Sequence, residues 1–439
     1  MSAKRTAIFS HGRGKQRGVA LMIMLVILVV GIAAVLVNSL TSSTVKTARQ
    51  ENTAAALAQA KDALIGRAIK DATSPGSLPC PDTNDDGSAE STVGQPGGNC
   101  SSYIGRLPWK TLGLPDLRDG SGERLWYALS PNFRDYVTLN PINSNSIGIL
   151  TVSGTSAASN VIAIVFAAGP PVSGQSRSST NQVACATSGS TIAESWCATN
   201  YLEGTNPAPS PQTTPNLNYQ SADTSSTFND RLMIISAGDI IPIVEMRVAK
   251  ELTNAFASYL AANGKYPYPA NFTTTCTPTS TTSCPSDSTQ CIGKVPATQM
   301  NLYTTLPWFT DNKWFDVIYY TAGTSSLLGG AGGGGGGAGK KGKGKGKGGG
   351  GGGGSGGGST ICPANNTSTL TVLNPDGTTL TSNASALFLM PDTPLGGITR
   401  TSMSSTNLPD YFEDAENQNL DNLYIMPTAI SNDSLYILP

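Results

Sequence analysis

Residues Val19–Val37 read VALMIMLVILVVGIAAVLV, 19 consecutive positions holding only apolar residues or glycine. As a helix this run would extend about 28 Å at 1.5 Å per residue, close to the roughly 30 Å of a bilayer's hydrocarbon core. Five basic residues (Lys4, Arg5, Arg13, Lys15, Arg17) and no acidic one precede it. On the positive-inside rule they keep the amino-terminal end cytoplasmic. A cleaved secretory signal normally has an apolar core of about 7–15 residues followed by a small-residue cleavage site. Here the run is longer and passes without a break into the helix-prone stretch Thr41–Lys70. There Ala56, Leu57, Ala60, Ala63, Leu64 and Ala68 recur at three- and four-residue steps, and Ser74-Pro75-Gly76 supplies the stop. The expectation is a transmembrane helix over 19–40 that continues toward residue 70.

Lys15-Gln16-Arg17-Gly18 followed by Val19-Ala20-Leu21-Met22-Ile23 resembles the cleavage and methylation site of type IV prepilins. The resemblance is specific over residues 13–45 and only general beyond about residue 70. It implies a leader over 1–18, a cut by the prepilin peptidase between Gly18 and Val19, and methylation of Val19. It also implies a long membrane-spanning helix whose second half packs on an antiparallel β-sheet head. The family usually carries Glu at the fifth mature position, where this chain has Ile23. A carboxylate in an apolar helix is costly unless paired; in pilins it is thought to pair with a neighbour's terminal amine. A chain without it is similar to the K-type minor pseudopilin and the X-type minor pilin, which sit at or near filament tips. The K-type likeness is incomplete, because the large helical insertion of that family has no match here.

Charge and cysteine content narrow the class further. The 28 basic residues less the five before the apolar run leave 23 against 29 acidic ones. A net acidic body lacks the clustered cationic surface that an obligatory nucleic-acid partner requires. Only 13% of residues are charged, a composition that suits a secreted, β-rich protein. The eight cysteines (Cys80, Cys100, Cys185, Cys197, Cys276, Cys284, Cys291, Cys362) contain no Cys-x-x-Cys pair. Their even number and wide spacing suit disulfides in an oxidising compartment rather than a zinc ribbon or redox motif. Proximity favours Cys80–Cys100 and Cys185–Cys197, while the second half leaves three pairings open.

The rest of the chain repeats itself. Ala60-Lys61-Asp62 matches Ala249-Lys250-Glu251 in a second helix over about Val244–Ala262, and Pro79-Cys80-Pro81 matches Pro267-Tyr268-Pro269. Leu107-Pro108-Trp109 matches Leu306-Pro307-Trp308, Glu123–Tyr127 matches Asp316–Tyr320, and Leu150-Thr151-Val152 matches Leu370-Thr371-Val372. The window Ala163–Arg177 aligns without gaps with Ala386–Arg400. Tyr201-Leu202-Glu203 then aligns with Tyr411-Phe412-Glu413, and Asp230–Ile234 with Asp421–Ile425. Each copy reads as a helix followed by about four strands, an α+β unit with the helix on one sheet face. The expected domains are 41–240 and a tandem pilin-like unit over 241–439, with a disordered Gly/Lys-rich insertion at 329–359 inside the second.

Candidate chemistry is sparse. The sole histidine, His11, lies in the expected leader, so the mature chain would lack His-based catalysis and His-based metal sites. No carboxylate pair sits in a recognisable hydrolase motif, and the chain reads as no enzyme. Asp82, Asn84 and Asp86 open a D-x-[DN]-x-[DN]-G calcium loop, but Val93 stands where the closing acid belongs. Calcium is thus the one expected cofactor candidate, against the plainer reading of a solvated turn. Lys340, Lys341, Lys343, Lys345 and Lys347 lie in the glycine tract without the Ser/Thr of a phosphate loop; contact with anionic polymers is their alternative use. The reading that follows is a minor pilin or pseudopilin of a type IV pilus or type II secretion pseudopilus, at or near the tip. Its expected partners are other pilins, the prepilin peptidase and an inner-membrane assembly platform. The expected location is the bacterial inner membrane, single-pass with a periplasmic carboxy-terminal part, or the outside of the cell within a filament. The alternative is a membrane-anchored surface adhesin that binds through the Gly/Lys tract or the Ser/Thr-rich loops.

Overall fold

The computed structural model describes residues 17–90, 98–135, 141–184, 191–207, 216–327, 369–395, 398, 400–428 and 431–439. Most of the expected leader with His11, the insertion at 329–359, Cys185 and Cys362 lie outside the described residues. In chain order the first half holds α1 (Arg17–Lys70), β1 (Ile104–Arg106), β2 (Trp126–Leu129), β3 (Leu150–Gly154), β4 (Ala158–Ala167), β5 (Gln182–Ala184), β6 (Thr191–Ala193), β7 (Asn218–Ser221) and β8 (Arg231–Ser236). The second holds α2 (Ala237–Asn263), β9 (Ile292–Lys294), α3 (Leu302–Thr305), α4 (Pro307–Asp311), β10 (Tyr319–Ala322), β11 (Leu370–Leu373), β12 (Thr379–Ala384), β13 (Ala386–Met390), β14 (Leu423–Ile425) and β15 (Ser434–Ile437).

In its carboxy-terminal part α1 buries Ala56, Leu57, Ala60, Leu64 and Ala68, one face of a 3.6-residue turn. It ends where Asp71 turns its carboxylate onto the chain's own amides, Oδ1 accepting from Thr73 N (2.9 Å) and Ser74 N (2.7 Å). α2 buries Val244, Glu245, Val248, Leu252 and Phe256 at the same steps. At its start the Ser236 N–H and hydroxyl both donate to Asp239 Oδ2, at 2.8 and 2.9 Å, and it stops at Gly264 in the left-handed region (φ 70).

The first sheet runs β1-β2-β4-β3-β7, with β8 also paired to β4. In the second half β9-β10-β13-β15 form one sheet and β12-β11-β14 another. These are the same pairings, with β4 replaced by β12 and β13, which are separated at Ser385. β3 pairs parallel with β7, and β11 parallel with β14. The head is therefore α+β with mixed sheets, which corrects the expected antiparallel one. A parallel pair needs a long return crossover, and residues 155–217 and 374–422 provide it.

A second correction concerns the membrane. Among the described residues no helix is long and apolar enough to cross a bilayer. The described apolar side chains of α1, Met22–Val30 and Ile32, cover about 15 Å, half of a bilayer core. The expected transmembrane helix over 19–40 and the single-pass inner-membrane location are thereby overturned.

Backbone contacts fix which residues correspond between the halves. Asp82 bridges Arg106 as Ala270 bridges Lys294. Leu112 N donates to Pro108 O (3.1 Å) as Met300 N does to Pro296 O (3.2 Å). Gly105 and Gly293 sit at equal places for one reason: a Cβ there would lie 2.4 Å from Asp82 O and 2.1 Å from Ala270 O. Continued back along the helices, this spacing sets Ala60 opposite Val248, one residue from the alignment read in the sequence. Leu107-Pro108 corresponds to Val295-Pro296, while Leu306-Pro307-Trp308 belongs to the α3–α4 segment. Asp230–Ile234 corresponds to Asp433–Ile437, because Ile234 and Ile437 face Ile164 and Leu387, which occupy the same position of the aligned window. Asp421–Ile425 instead leads into β14, the counterpart of β7.

The halves share one apolar core. Ser236 ends β8 and Ala237 begins α2, so α2 lies directly beside α1. Lys61 Nζ reaches Asp239 Oδ1 at 2.8 Å, and Arg247 Nη1 donates to Ile69 O and Asp71 O, each at 2.6 Å. Asn312, fully buried, accepts from Ile142 N (2.8 Å) through Oδ1 and from Asn143 Nδ2 (2.8 Å) through its backbone carbonyl.

Candidate functional site: an exposed apolar helix and twin carboxyl clusters

Among the described residues the largest run of exposed apolar side chains is on α1. Met22 through Val30 and Ile32 are each 53–75% exposed. Ten apolar side chains around all sides of a helix leave no polar face to turn toward water, and an uncovered patch of that extent marks an interaction surface. Ile23, at the position where the resembled family usually carries an acid, is one of these exposed residues. Contact with the head begins near Arg49, whose carbonyl lies where a Cβ of Gly120 would be, and at Thr53, whose Oγ1 accepts from Gly120 N (2.9 Å). Gly18 and Val19 fall within the first turn of α1.

The expected calcium loop turns inward on itself. Asp82 Oδ1 accepts from the amides of Asn84 (3.1 Å) and Asp85 (2.7 Å), and Oδ2 from Gly87 N (2.7 Å). Asn84 Oδ1 accepts from Asp86 N (3.0 Å) and Asp86 Oδ1 from Ser88 N (2.7 Å). Burial raises the Asp82 carboxyl above its ordinary value, and the three amide bonds oppose that rise. Asp85 is paired with Arg124 at 2.9 Å. Among the described residues no group of three or more His, Cys, Asp or Glu could hold a metal ion.

Behind this loop lies a stack absent from the sequence reading. The Arg106 guanidinium, 6% exposed, sits 4.2 Å from the Trp126 ring and 4.1 Å from the Tyr201 ring, and Arg177 covers Tyr201 at 4.3 Å. Cations against aromatic faces away from water are worth about 2 kcal/mol each. Arg177 is also tied to Glu123 at 3.0 Å and donates to Gly169 O (2.9 Å) and Asn200 O (3.0 Å). In the second half Arg400 lies 5.2 Å from Tyr411. It donates to the carbonyls of Asp392, Pro391, Asp410 and Tyr411. Lys294, in the place of Arg106, is bonded to Asp316 at 3.2 Å.

Beside each stack two carboxyl groups hold one another's backbone. Glu203 N donates to Asp230 Oδ2 (2.9 Å), and Asp230 N and Asn229 N donate to Glu203 Oε2 (3.1 and 2.9 Å). In the second half Glu413 N donates to Asp433 Oδ2 (3.2 Å) and Asn432 N to Glu413 Oε2 (3.3 Å). The asparagines match as well, Asn229 Nδ2 on Pro170 O (2.6 Å) and Asn432 Nδ2 on Thr393 O (2.8 Å). Asp230 and Asp433 are 4% and 3% exposed. Burial first, and then the adjacent glutamate, pushes each aspartate up to about 8. Tyr201-x-Glu203 and Tyr411-x-Glu413 were visible in the sequence. The Asn-Asp dipeptides before β8 and β15 were the signal that would have supplied the partners.

Cys80–Cys100 and Cys276–Cys284 are disulfides, and Cys197 and Cys291 are disulfide-bonded as well. No protein-family model, no curated protein and no solved structure matches the chain.

Proposed function

We propose that this chain is a minor pilin- or pseudopilin-like subunit that enters a helical filament through the exposed apolar part of α1. The observation that carries the reading is Met22–Val30 with Ile32, apolar on every side, on the same helix that packs into the head through Ala56, Leu57, Ala60 and Leu64. Bundled against like helices, that surface would be removed from water at about 25 cal/mol per Å², while the head stays outside the bundle. Ile23 in place of an acid leaves the subunit without a partner for a neighbour's terminal amine. The two-part head is bulky for a repeating shaft, and both features favour the tip. The partners on this reading are other pilins, the prepilin peptidase and the filament's assembly platform.

The test is the mass of the mature amino terminus after co-expression with a prepilin peptidase. Cleavage between Gly18 and Val19 with a methylated Val19 is expected. An uncut chain in the presence of an active peptidase that processes a control prepilin ends this reading.

A further inference from the structure

We propose that each half of the molecule is latched by a single proton shared between two carboxyl groups, buried Glu203 with buried Asp230 and half-buried Glu413 with buried Asp433, and that the latch releases when this proton is lost in alkaline solution. The geometry is the ground for it. Asp230 Oδ1 and Asp433 Oδ1 are both buried without a hydrogen-bond partner among the described residues. Their second oxygens are occupied by the amides of Glu203 and Glu413. A buried carboxylate oxygen with no donor is costly, and two ionised carboxylates side by side cost more. One proton turns the pair into a donor and an acceptor. The same orphaned oxygen recurs at the same place in both halves.

The surrounding charges do not replace the proton. In the first half Gln175 Nε2 donates to Glu203 Oε1 (2.7 Å), and Asn206 Nδ2 to Asp230 Oδ2 (2.8 Å). Arg177 is engaged with Glu123 and two carbonyls, and Asp119 accepts from Gly169 N. In the second half Arg400 is spent on four carbonyls, and Asp392 and Glu245 add further acidic groups nearby. Among the described residues neither carboxyl pair has a salt-bridge partner. The latch joins the loop after β4, the Tyr201–Asn206 segment and the entry to β8, with their counterparts in the second half.

The sign follows from the raised aspartates. Their stabilising contribution is complete below the unfolded value near 4 and is lost as pH rises toward about 8. The folding constant should fall by up to about tenfold per pH unit for each latch within that window. The experiment is a pair of readings on the full chain: thermal melts from pH 5 to 9, and the infrared carbonyl band of protonated carboxylic acid at pH 6. The comparison is with Asp230→Asn/Asp433→Asn, in which an amide N–H takes the proton's place. The expected result is a melting midpoint that falls with pH in the wild type, a flatter profile in the variant, and a smaller acid band. Glu245, whose carboxyl burial also raises, supplies a residual band in both. An unchanged band, or a variant as steep in pH as the wild type, overturns the proposal. Should the asparagine variant fail to fold, Glu203→Gln/Glu413→Gln carries the same comparison.

Discussion

At Gly105 and Gly293 the absent side chain is the feature that matters, because the carbonyl of a neighbouring extended segment occupies the place of a Cβ. Alanine at either position must push β1 from the Pro79–Asp82 segment, or β9 from Pro267–Ala270. An overpacked contact of this kind costs about 1–3 kcal/mol. Gly105→Ala and Gly293→Ala are therefore each expected to lower the urea midpoint by that equivalent. No change in either would mean the close approach is not held in solution. Residues of this sort show why parts of the site were legible and others were not. Tyr201-x-Glu203 and Tyr411-x-Glu413 lie in contiguous, similar words, so spacing alone pairs them. The carboxyl clusters join residues far apart in the chain, and burial, which makes them unusual, leaves no mark in a residue's name. The Asp82 loop carries two readings for a related reason: a D-x-N-x-D-G run is also what a chain uses to cap its own amides, and Asp82 does so with both oxygens.

At the level of elements, α1 divides into an apolar part that none of the described residues of the head covers and a part that the sheet does. A charge placed in the first part should leave the head unaltered and abolish assembly. Val26→Asp with Leu28→Asp is expected to preserve the thermal melt of the head within about 0.5 kcal/mol, as surface changes do, while co-purification with filament components is lost. Retained co-purification would show that another surface carries the contact. The helices also explain a misreading. Ala60-Lys61-Asp62 and Ala249-Lys250-Glu251 are ordinary amphipathic-helix words, and any helix tolerates a shift of one residue when small residues surround the match. The backbone bridges do not tolerate it, and they set Ala60 against Val248. Leu306-Pro307-Trp308 misled for the opposite reason, since a distinctive triplet recurs inside the α3–α4 segment. The parallel pairs β3·β7 and β11·β14 were out of reach, because strands of three to five residues hold too little pattern to name a neighbour.

Across the whole molecule the halves are joined by side chains as well as by the core. Arg247 donates to two carbonyls at the end of α1, and its guanidinium lies 5.3 Å from the Trp308 ring. Hydrogen bonds from a charged donor contribute about 1.5–3 kcal/mol. Arg247→Ala is expected to destabilise the chain by about 2 kcal/mol, and calorimetry should then resolve two transitions where the wild type shows one. A single transition of undiminished cooperativity would show that the apolar core alone couples the halves. The aligned window and the Pro-x-Pro pair recur in order in the sequence, and the sheet pairings recur between the halves. The shared core was not legible, since nothing in a repeat states whether its copies touch.

The direct passage of β8 into α2, Ser236 to Ala237, has a mechanical consequence. A bead-on-string protein yields under load by stretching the string between beads, and here there is no string to stretch. Tension applied to the second half arrives undamped at β8, and from there at β4 in the middle of the first sheet. If such a subunit stood at the end of a retracting fibre, a tug on its outer half would be felt at once in the inner one.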